Sequence, residues 1–445
     1  MKNYHFLQIL HLWGKLKHSL ICLLAVFLSF SYVGKAAAAT DQAYAFLSDD
    51  KKTLTFYYDD QKDSRTGGTP FSLYTGTNTP SWLSSAKSTV EKVVFADTFG
   101  NDDNKPKSCY MWFSSFENLE DIVGIANLHT DNVIYMSQMF YGCKKLTTNL
   151  DLSTFNTASV TSMNSMFGDC EKLTDLNVSG WANSQVTSMN SMFKNCKALK
   201  NLNISGFKTP SIKDAGLSQM FQSCEALTDL DLSEFNTSQC TSMSNMFRFC
   251  DNLKTLNLTG FNTANVTNMS YMFASCRSLK EIKCSSFDTK KVTTFEGMFV
   301  GCKAVQKLDL SNFNSTCAQT LKAMFEDCDA LTEIKFSSDF TAENVTDMRS
   351  MFYSCNSLTY LDLSHFKTSS VQNMGGVPNS SEGSGMFRGC ENLVWLDLSN
   401  FDVSNVGDMR YIFSDCGKLT TIFVSADWTF ALGGRFNYFF TNCKK

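Results

Sequence analysis

An aromatic residue followed three places later by cysteine occurs twelve times between Phe140 and Cys443. The cysteines are Cys143, Cys170, Cys196, Cys224, Cys250, Cys276, Cys302, Cys328, Cys355, Cys390, Cys416 and Cys443, separated by 27, 26, 28, 26, 26, 26, 26, 27, 35, 26 and 27 residues. A period in this range is that of one supersecondary unit stacking on its neighbours, so the chain reads as a solenoid.

The unit from Leu253 to Cys276 shows two periodicities. Leu256 and Leu258 flank Asn257, which turns both leucines to one face of a short strand and Asn257 to the other. Met269, Met272, Phe273 and Cys276 are spaced i, i+3, i+4, i+7, which predicts a two-turn helix with one apolar stripe. Thr259, Gly260, Asn262 and Thr263 supply turn chemistry between them. The expected fold class is therefore an α/β solenoid: a leucine-rich-repeat stack of short parallel strands and short helices. An aromatic column follows the strand throughout, from Phe155 and Trp181 to Phe401 and Trp428. Cys240 and Cys284 occupy valine and leucine columns, Cys109 a methionine column, and Cys317 a variable turn position, where an exposed thiol is expected. An early degenerate unit with Trp112, Phe113 and Phe116 has phenylalanine in the cysteine column, as terminal repeats often do.

Three regions follow. Residues 1–39 combine Lys2, Lys15 and Lys17, an apolar run from Leu20 to Val33, and Ala36 to Ala39, the pattern of a secretory signal peptide cut after Ala39. Its removal takes away four lysines and no acid, leaving 35 basic and 43 acidic residues and a net charge of −8, which disfavours a nucleic-acid partner. No later stretch has membrane-spanning length, so no membrane span is expected after cleavage. Residues 40–89 read as an N-terminal β cap region. Ala43 to Leu47 and Thr53 to Tyr58 form two strands, Arg65 to Pro80 a loop, and Trp82 an isolated large apolar residue. A separate binding module is the alternative for this region. Residues 90–445 are the solenoid of about 12–13 repeats.

Catalysis finds few candidates. Only His129 and His365 lie beyond the signal segment, and His365 falls in a column of polar residues that reads as a solvated face. No C-x-x-C pair suggests zinc, and no phosphate loop or dinucleotide fingerprint appears. The cysteines, one per coil with parallel side chains, read as a packing ladder rather than a disulfide framework. The expectation is a non-enzyme without cofactor or metal.

What remains for function is the polar side of the strand. The outward position between the two strand leucines holds Asp151, Asn177, Asn203, Asp231, Asn257, Lys283, Asp309, Lys335, Asp362, Asp397 and Phe423. From Asp231 to Asp397 this column is the candidate protein-binding wall, with Asp362 and Asp397 able to attract a basic patch. Its asparagine sequons, at Asn177, Asn203 and Asn257, read as repeat pattern rather than glycosylation sites. The second candidate is a nine-residue excess between Cys355 and Cys390, around Gly375, Val377, Pro378, Asn379 and Glu382. Such an insertion is either a binding loop or a neutral bulge.

Leu-x-x-Leu-Asp-Leu-Ser-x-Phe at Leu227 to Phe235 and Val-Thr-x-Met-x-x-Met-Phe-x-x-Cys at Val266 to Cys276 resemble the BspA-like leucine-rich-repeat family. These bacterial surface and secreted proteins have Met-Phe-x-x-Cys repeats also found in mycoplasma lipoproteins. The resemblance covers about Val90 to Cys443. It implies a non-enzymatic adhesin-like protein contacting host matrix or plasma proteins such as fibronectin and fibrinogen, or other bacterial surface proteins. A structural or self-associating surface component is the alternative.

Overall fold

A computed structural model describes residues 40–445 except 102, 148, 377–384, 427, 429–433 and 444–445. The expected signal peptide and most of the insertion thus lie outside the described residues.

The first strands are β1 (Gln42–Ser48), β2 (Thr53–Asp59), β3 (Gly68–Ser72), β4 (Lys92–Phe95) and β5 (Asp121–Val123), joined in one sheet of order β3-β1-β2-β4-β5. β1 pairs antiparallel with β2 and β3, whereas β2, β4 and β5 run parallel, so the hairpin leads directly into the stack. β3 lies inside the stretch read as a loop. Pro70 obscured it, yet β3 is an edge strand bonded only to β1, where a proline can be tolerated. Beneath the hairpin, the Phe56 ring meets Trp82, Phe95, Phe99, Trp112 and Phe113 at centroid distances of 4.8–5.9 Å. Trp82 is fully buried, and its indole N–H donates to the Trp112 carbonyl at 2.8 Å.

The coils continue the wall with β6 (Leu150–Asp151), β7 (Asp175–Asn177), β8 (Asn201–Asn203), β10 (Asp229–Asp231), β12 (Thr255–Asn257), β13 (Lys307–Leu310), β14 (Glu333–Phe336), β15 (Tyr360–Asp362), β16 (Trp395–Leu398) and β17 (Thr421–Val424). They pair in parallel within four groups, β6-β7-β8, β10-β12, β13-β14 and β15-β16-β17, with leucine opposite leucine: Leu150 with Leu176, Leu230 with Leu256, Leu361 with Leu396. A second parallel ladder runs beside the first. It comprises single bridges from Ser108 through Tyr135 and Ser162 to Ser188, then β9 (Lys213–Asp214) with β11 (Gln239–Cys240), and single bridges again from Ser242 through Asn268, Thr294, Thr320, Asp347, Asn373 and Asp408 to Arg435.

The two-turn helix expected at Met269 to Cys276 is absent. Tyr271 and Ser275 have φ of 55° and 58°, left-handed values that an α-helix cannot contain. The segment is instead two consecutive β-turns. The N–H groups of Met272 and Cys276 donate to the carbonyls of Met269 and Phe273, each three residues back, at 3.3 and 3.1 Å. Those of Met269, Tyr271, Phe273 and Ser275 donate instead to Thr294, Glu296, Met298 and Val300 of the next coil, at 3.2, 2.8, 2.9 and 2.6 Å. Two tight turns of this kind put positions i, i+3, i+4 and i+7 inside, the same residues a helix would bury. A non-glycine left-handed residue costs roughly 1–2 kcal/mol. Burying Met272 and Phe273 gives about 1.5–3 kcal/mol each, and the inter-coil hydrogen bonds add to it, so the stack outweighs the strain. Among the described residues, helical structure is confined to single turns at Leu83–Ala86, Asp97–Gly100 and Ile125–Asn127.

Inside the coils, phenylalanines stack from Phe140 through Phe167 and onward to Phe440, with successive centroids 5.3–5.9 Å apart and planes within 21°. The cysteines stand beside this spine as free, mostly buried thiols, including Cys109, Cys240 and Cys284, while Cys317 is exposed as expected. Each thiol of the column from Cys143 to Cys443 also donates to the carbonyl of the preceding coil's aromatic. Cys276 Sγ lies 3.2 Å from Phe247 O, and Cys302 Sγ 3.2 Å from Phe273 O. The Phe247 carbonyl already accepts the Cys250 N–H at 3.1 Å, so the thiol occupies its second lone pair. Phe116, in the same column, has no such coil before it.

Candidate interaction surface

The wall column has a structural task that its composition did not reveal. Oδ1 of Asp231 accepts the N–H of Ser233 at 2.9 Å, Asp309 that of Ser311 at 3.0 Å, Asp362 that of Ser364 at 2.9 Å and Asp397 that of Ser399 at 2.8 Å. Asn257 does the same for Thr259 at 3.2 Å. Each is an Asx turn that bends the chain off the strand, which explains why Asp or Asn recurs two residues before Ser or Thr. These hydrogen bonds hold the Asp231, Asp309 and Asp362 carboxyls below the ordinary carboxylate range. Asn177 and Asn203 serve their coils in the same way, which accounts for their sequons, although Asn203 is exposed.

Lys283 and Lys335 cannot make this turn, and at Lys283 the strand itself is lost, whereas Lys335 keeps its place in β14. Residues 281–283 form no strand, so the ladder is interrupted between β12 and β13. Cys284, smaller than the leucine usual there, adds to the gap. A cavity of about 400 Å³ opens at this point, bringing Lys283 and Asp309 together with Lys280, Glu281 and Lys307. Lys335 Nζ lies 3.8 Å from Asp309 and Lys307 Nζ 2.7 Å from Glu333, so the middle of the wall balances its own charge.

β15 and β16 carry two outward residues that the sequence pattern did not single out. Tyr360 and Trp395 stand two places before Asp362 and Asp397, in a column that elsewhere holds Thr255, Glu281, Lys307 and Glu333. Their ring centroids are 6.3 Å apart, and Phe423 lies 5.4 Å beyond Trp395. Tyr360 is 58% exposed and Phe423 47%. The available signal was the aromatic character of two adjacent members of a polar column.

The second candidate divides. Gly375 is not part of a loop: it is buried, its N–H donates to Asp408 O at 2.9 Å, and an added Cβ would meet the Arg410 carbonyl at 2.4 Å. Met386 N–H donates to Met374 O at 2.9 Å, closing the turn that Met-x-x-Met closes in other coils. The insertion therefore springs from the methionine turn, not from the wall strands, and Val377, Pro378, Asn379 and Glu382 lie outside the described residues.

His365 is not a solvated face residue either. It is half-buried against Phe336 and Phe366, with centroids 5.6 and 4.9 Å away, and its buried Nε2 has no hydrogen-bond partner. Phe336, wider than the usual leucine, builds this pocket. Burial holds the imidazole below its ordinary pKa, while the charge of Asp362 opposes the shift.

Among the described residues, no group of three or more His, Cys, Asp or Glu could hold a metal ion. No helix among them is long and apolar enough to cross a membrane.

The repeats match the family model described as Mycoplasma protein of unknown function, DUF285, over residues 107–229, 215–335 and 321–445. The chain belongs to that family. The Met-Phe-x-x-Cys resemblance to BspA-like surface proteins rests on the same repeats. Similar solved structures include a leucine-rich cell surface protein from Faecalibacterium prausnitzii, 18% identical, covering 88% of this chain and 96% of its own, with a TM-score of 0.37. A leucine-rich-repeat protein from Bacteroides ovatus is 13% identical, covering 86% and 89%, with a TM-score of 0.37. One from Eubacterium ventriosum is 14% identical, covering 91% and 94%, with a TM-score of 0.36. No curated protein matches the sequence.

Proposed function

We propose that this DUF285 chain is an exported, non-enzymatic, adhesin-like binding protein, with residues 1–39 as its signal and 40–89 capping the stack, and that its strand wall contacts another protein. The observation that carries the reading is the division of labour within each coil. The turns and inner columns are consumed by packing and inter-coil hydrogen bonds, whereas the strands, register-matched within each paired group, leave outward side chains free of that task. Repeat proteins commonly use such an extended face for binding. Host matrix or plasma proteins such as fibronectin and fibrinogen, and other bacterial surface proteins, are the partners to test. Surface plasmon resonance on immobilised fibronectin, fibrinogen and bacterial surface extract should show saturable binding that weakens when wall residues are replaced. Absence of saturable binding to all three refutes it.

A second reading, self-association, draws on the last coil, where Phe423, Val424, Tyr438 and Phe440 are 40–57% exposed. Concentration-dependent sedimentation of the purified chain, abolished by charged replacements at these positions, would favour it.

A further inference from the structure

The wall is chemically uneven, and its last three strands differ from the rest in two independent ways. The first is the aromatic run. Tyr360, Trp395 and Phe423 cross β15, β16 and β17 as a series of tilted rings, each within 6.3 Å of the next, on a surface whose other columns are polar. Large aromatics left in water in a contiguous patch mark an interaction site more often than single exposed apolar residues do.

The second is unbalanced charge. Asp362 and Asp397 sit opposite each other in the β15–β16 pairing. On β13 and β14 the charges pair off, Lys335 with Asp309 and Lys307 with Glu333, and elsewhere the wall aspartates face asparagine, Asp231 opposite Asn257 and Asp151 opposite Asn177, rather than a second carboxylate. Neither Asp362 nor Asp397 forms an ion pair among the described residues, and burial holds the nearby imidazole of His365 below its ordinary pKa. Two carboxylates beside exposed π-faces complement a cation that is itself planar. A guanidinium stacks on an aromatic face and forks to a carboxylate at once, whereas an ammonium does only part of this. Neighbouring strands stand about 4.8 Å apart and same-side residues of an extended chain about 6.8 Å apart, so long side chains can engage both coils.

We propose that the strip formed by Tyr360, Asp362, Trp395, Asp397 and Phe423 takes an arginine-bearing extended segment of a partner protein, its guanidinium groups lying on the rings and pairing with the two carboxylates. The inference rests on the protein-binding reading and narrows it to one end of the wall and one partner chemistry.

Fluorescence anisotropy of the full chain with a labelled octapeptide of alternating Arg and Thr tests it, with alternating Lys-Thr and Glu-Thr peptides for comparison and cellohexaose as competitor. Saturable binding is expected for the arginine peptide, several-fold weaker for the lysine peptide and absent for the glutamate one, falling as salt is raised. Trp395→Ala and the double variant Asp362→Asn, Asp397→Asn should each weaken it at least tenfold. Asp288→Asn, an exposed turn carboxylate outside the strand wall, should leave it unchanged. Tyr360→Ser, at the most exposed ring, gives a second aromatic variant if Trp395→Ala melts early by circular dichroism. The proposal is overturned if the strip variants bind the arginine peptide as the wild type does, if Asp288→Asn weakens binding equally, if no arginine peptide binds, or if cellohexaose displaces it. Capture of a matrix protein unaffected by the strip variants would overturn this inference and leave the broader reading standing. Arginine-peptide binding through the strip without capture of any tested protein would support the strip and count against the broader reading.

Discussion

Replacing Cys276 by Ala and by Ser separates what the cysteine column does. Cys276 is fully buried beside the phenylalanine spine, and its Sγ donates to Phe247 O at 3.2 Å. Alanine removes one sulfur from a close-packed site. The lost transfer energy is about 1 kcal/mol, by analogy with a buried methylene. A residual cavity of roughly 20 Å³ at about 24 cal/mol per Å³ adds about 0.5 kcal/mol. The lost hydrogen bond adds a few tenths, because Phe247 O keeps the Cys250 N–H and is not orphaned. The expected cost is about 1.5–2 kcal/mol. Serine is nearly isosteric and a stronger donor, but its shorter C–O bond stretches a contact that already measures 3.2 Å. It also buries a hydroxyl, which costs about 1–3 kcal/mol when poorly paired, so Ser should be no better than Ala and on the order of 2–3 kcal/mol below wild type.

Cys443 provides the internal comparison. It makes the same contact to Phe413 O, at 3.0 Å, but is only partly buried in the last described coil. Its alanine variant should cost less than half as much. The assay is urea unfolding followed by tryptophan fluorescence and circular dichroism, comparing midpoints at unchanged slope. If Cys276→Ser equals or exceeds wild type, the column is a hydrogen-bonding device and the packing account is wrong. If Cys276→Ala costs under about 0.5 kcal/mol, or Cys443→Ala costs as much as Cys276→Ala, burial is not what the column supplies.

Three further outcomes are expected. Burial, aided by the charge of Asp327, raises Glu326 from its ordinary 4.5 to about 7. An acid with a raised folded pKa is a liability above pH 7 that fades as pH falls towards 4.5, so Glu326→Gln should stabilise by on the order of 1–2 kcal/mol at pH 8, after discounting for partial exposure, and by nothing at pH 4.5, read from paired melts. His365, whose folded pKa lies below its ordinary 6.5, gives the opposite trend: its stabilising neutral form is fully present above 6.5 and lost as pH falls below it. Wild type should therefore lose more thermal stability than His365→Phe between pH 6.5 and 5, and equal losses would refute the buried-imidazole reading. Deleting residues 377–385 restores a Met-x-x-Met turn whose hydrogen bond, Met386 N–H to Met374 O, is already formed, so stability should change by under about 0.5 kcal/mol. Loss of partner capture in that folded variant would make the insertion a binding loop, and unchanged capture would make it neutral.

The stack was legible because burial is periodic and periodicity survives in sequence. The strand leucines, the aromatic column, the buried Cys240 and Cys284 and the exposed Cys317 all lie where their columns put them. The helix failed for a reason that no apolar count can see. Two β-turns with left-handed third residues bury the same i, i+3, i+4, i+7 set as two helical turns. The distinguishing signal lies instead in the residues at φ near +60°, among them Asn245, Asn195, Asp169, Gly297 and Gly301, a set rich in the types that tolerate that region. Tyr271 and Phe249 occupy the same positions and conceal the rule. The composition of the wall has a related explanation. A polar column with an outward strand position looks like binding chemistry, but its Asp and Asn are first turn formers, required by the Ser or Thr two residues on. Recurrence therefore measures a residue's service to the fold. The informative positions are those where the column departs from that service: Lys283 and Lys335, which abandon the turn, and Tyr360, Trp395 and Phe423, which place rings where the fold asks for none. A partner that reads the wall must distinguish one coil from the next, and these departures are what it can read.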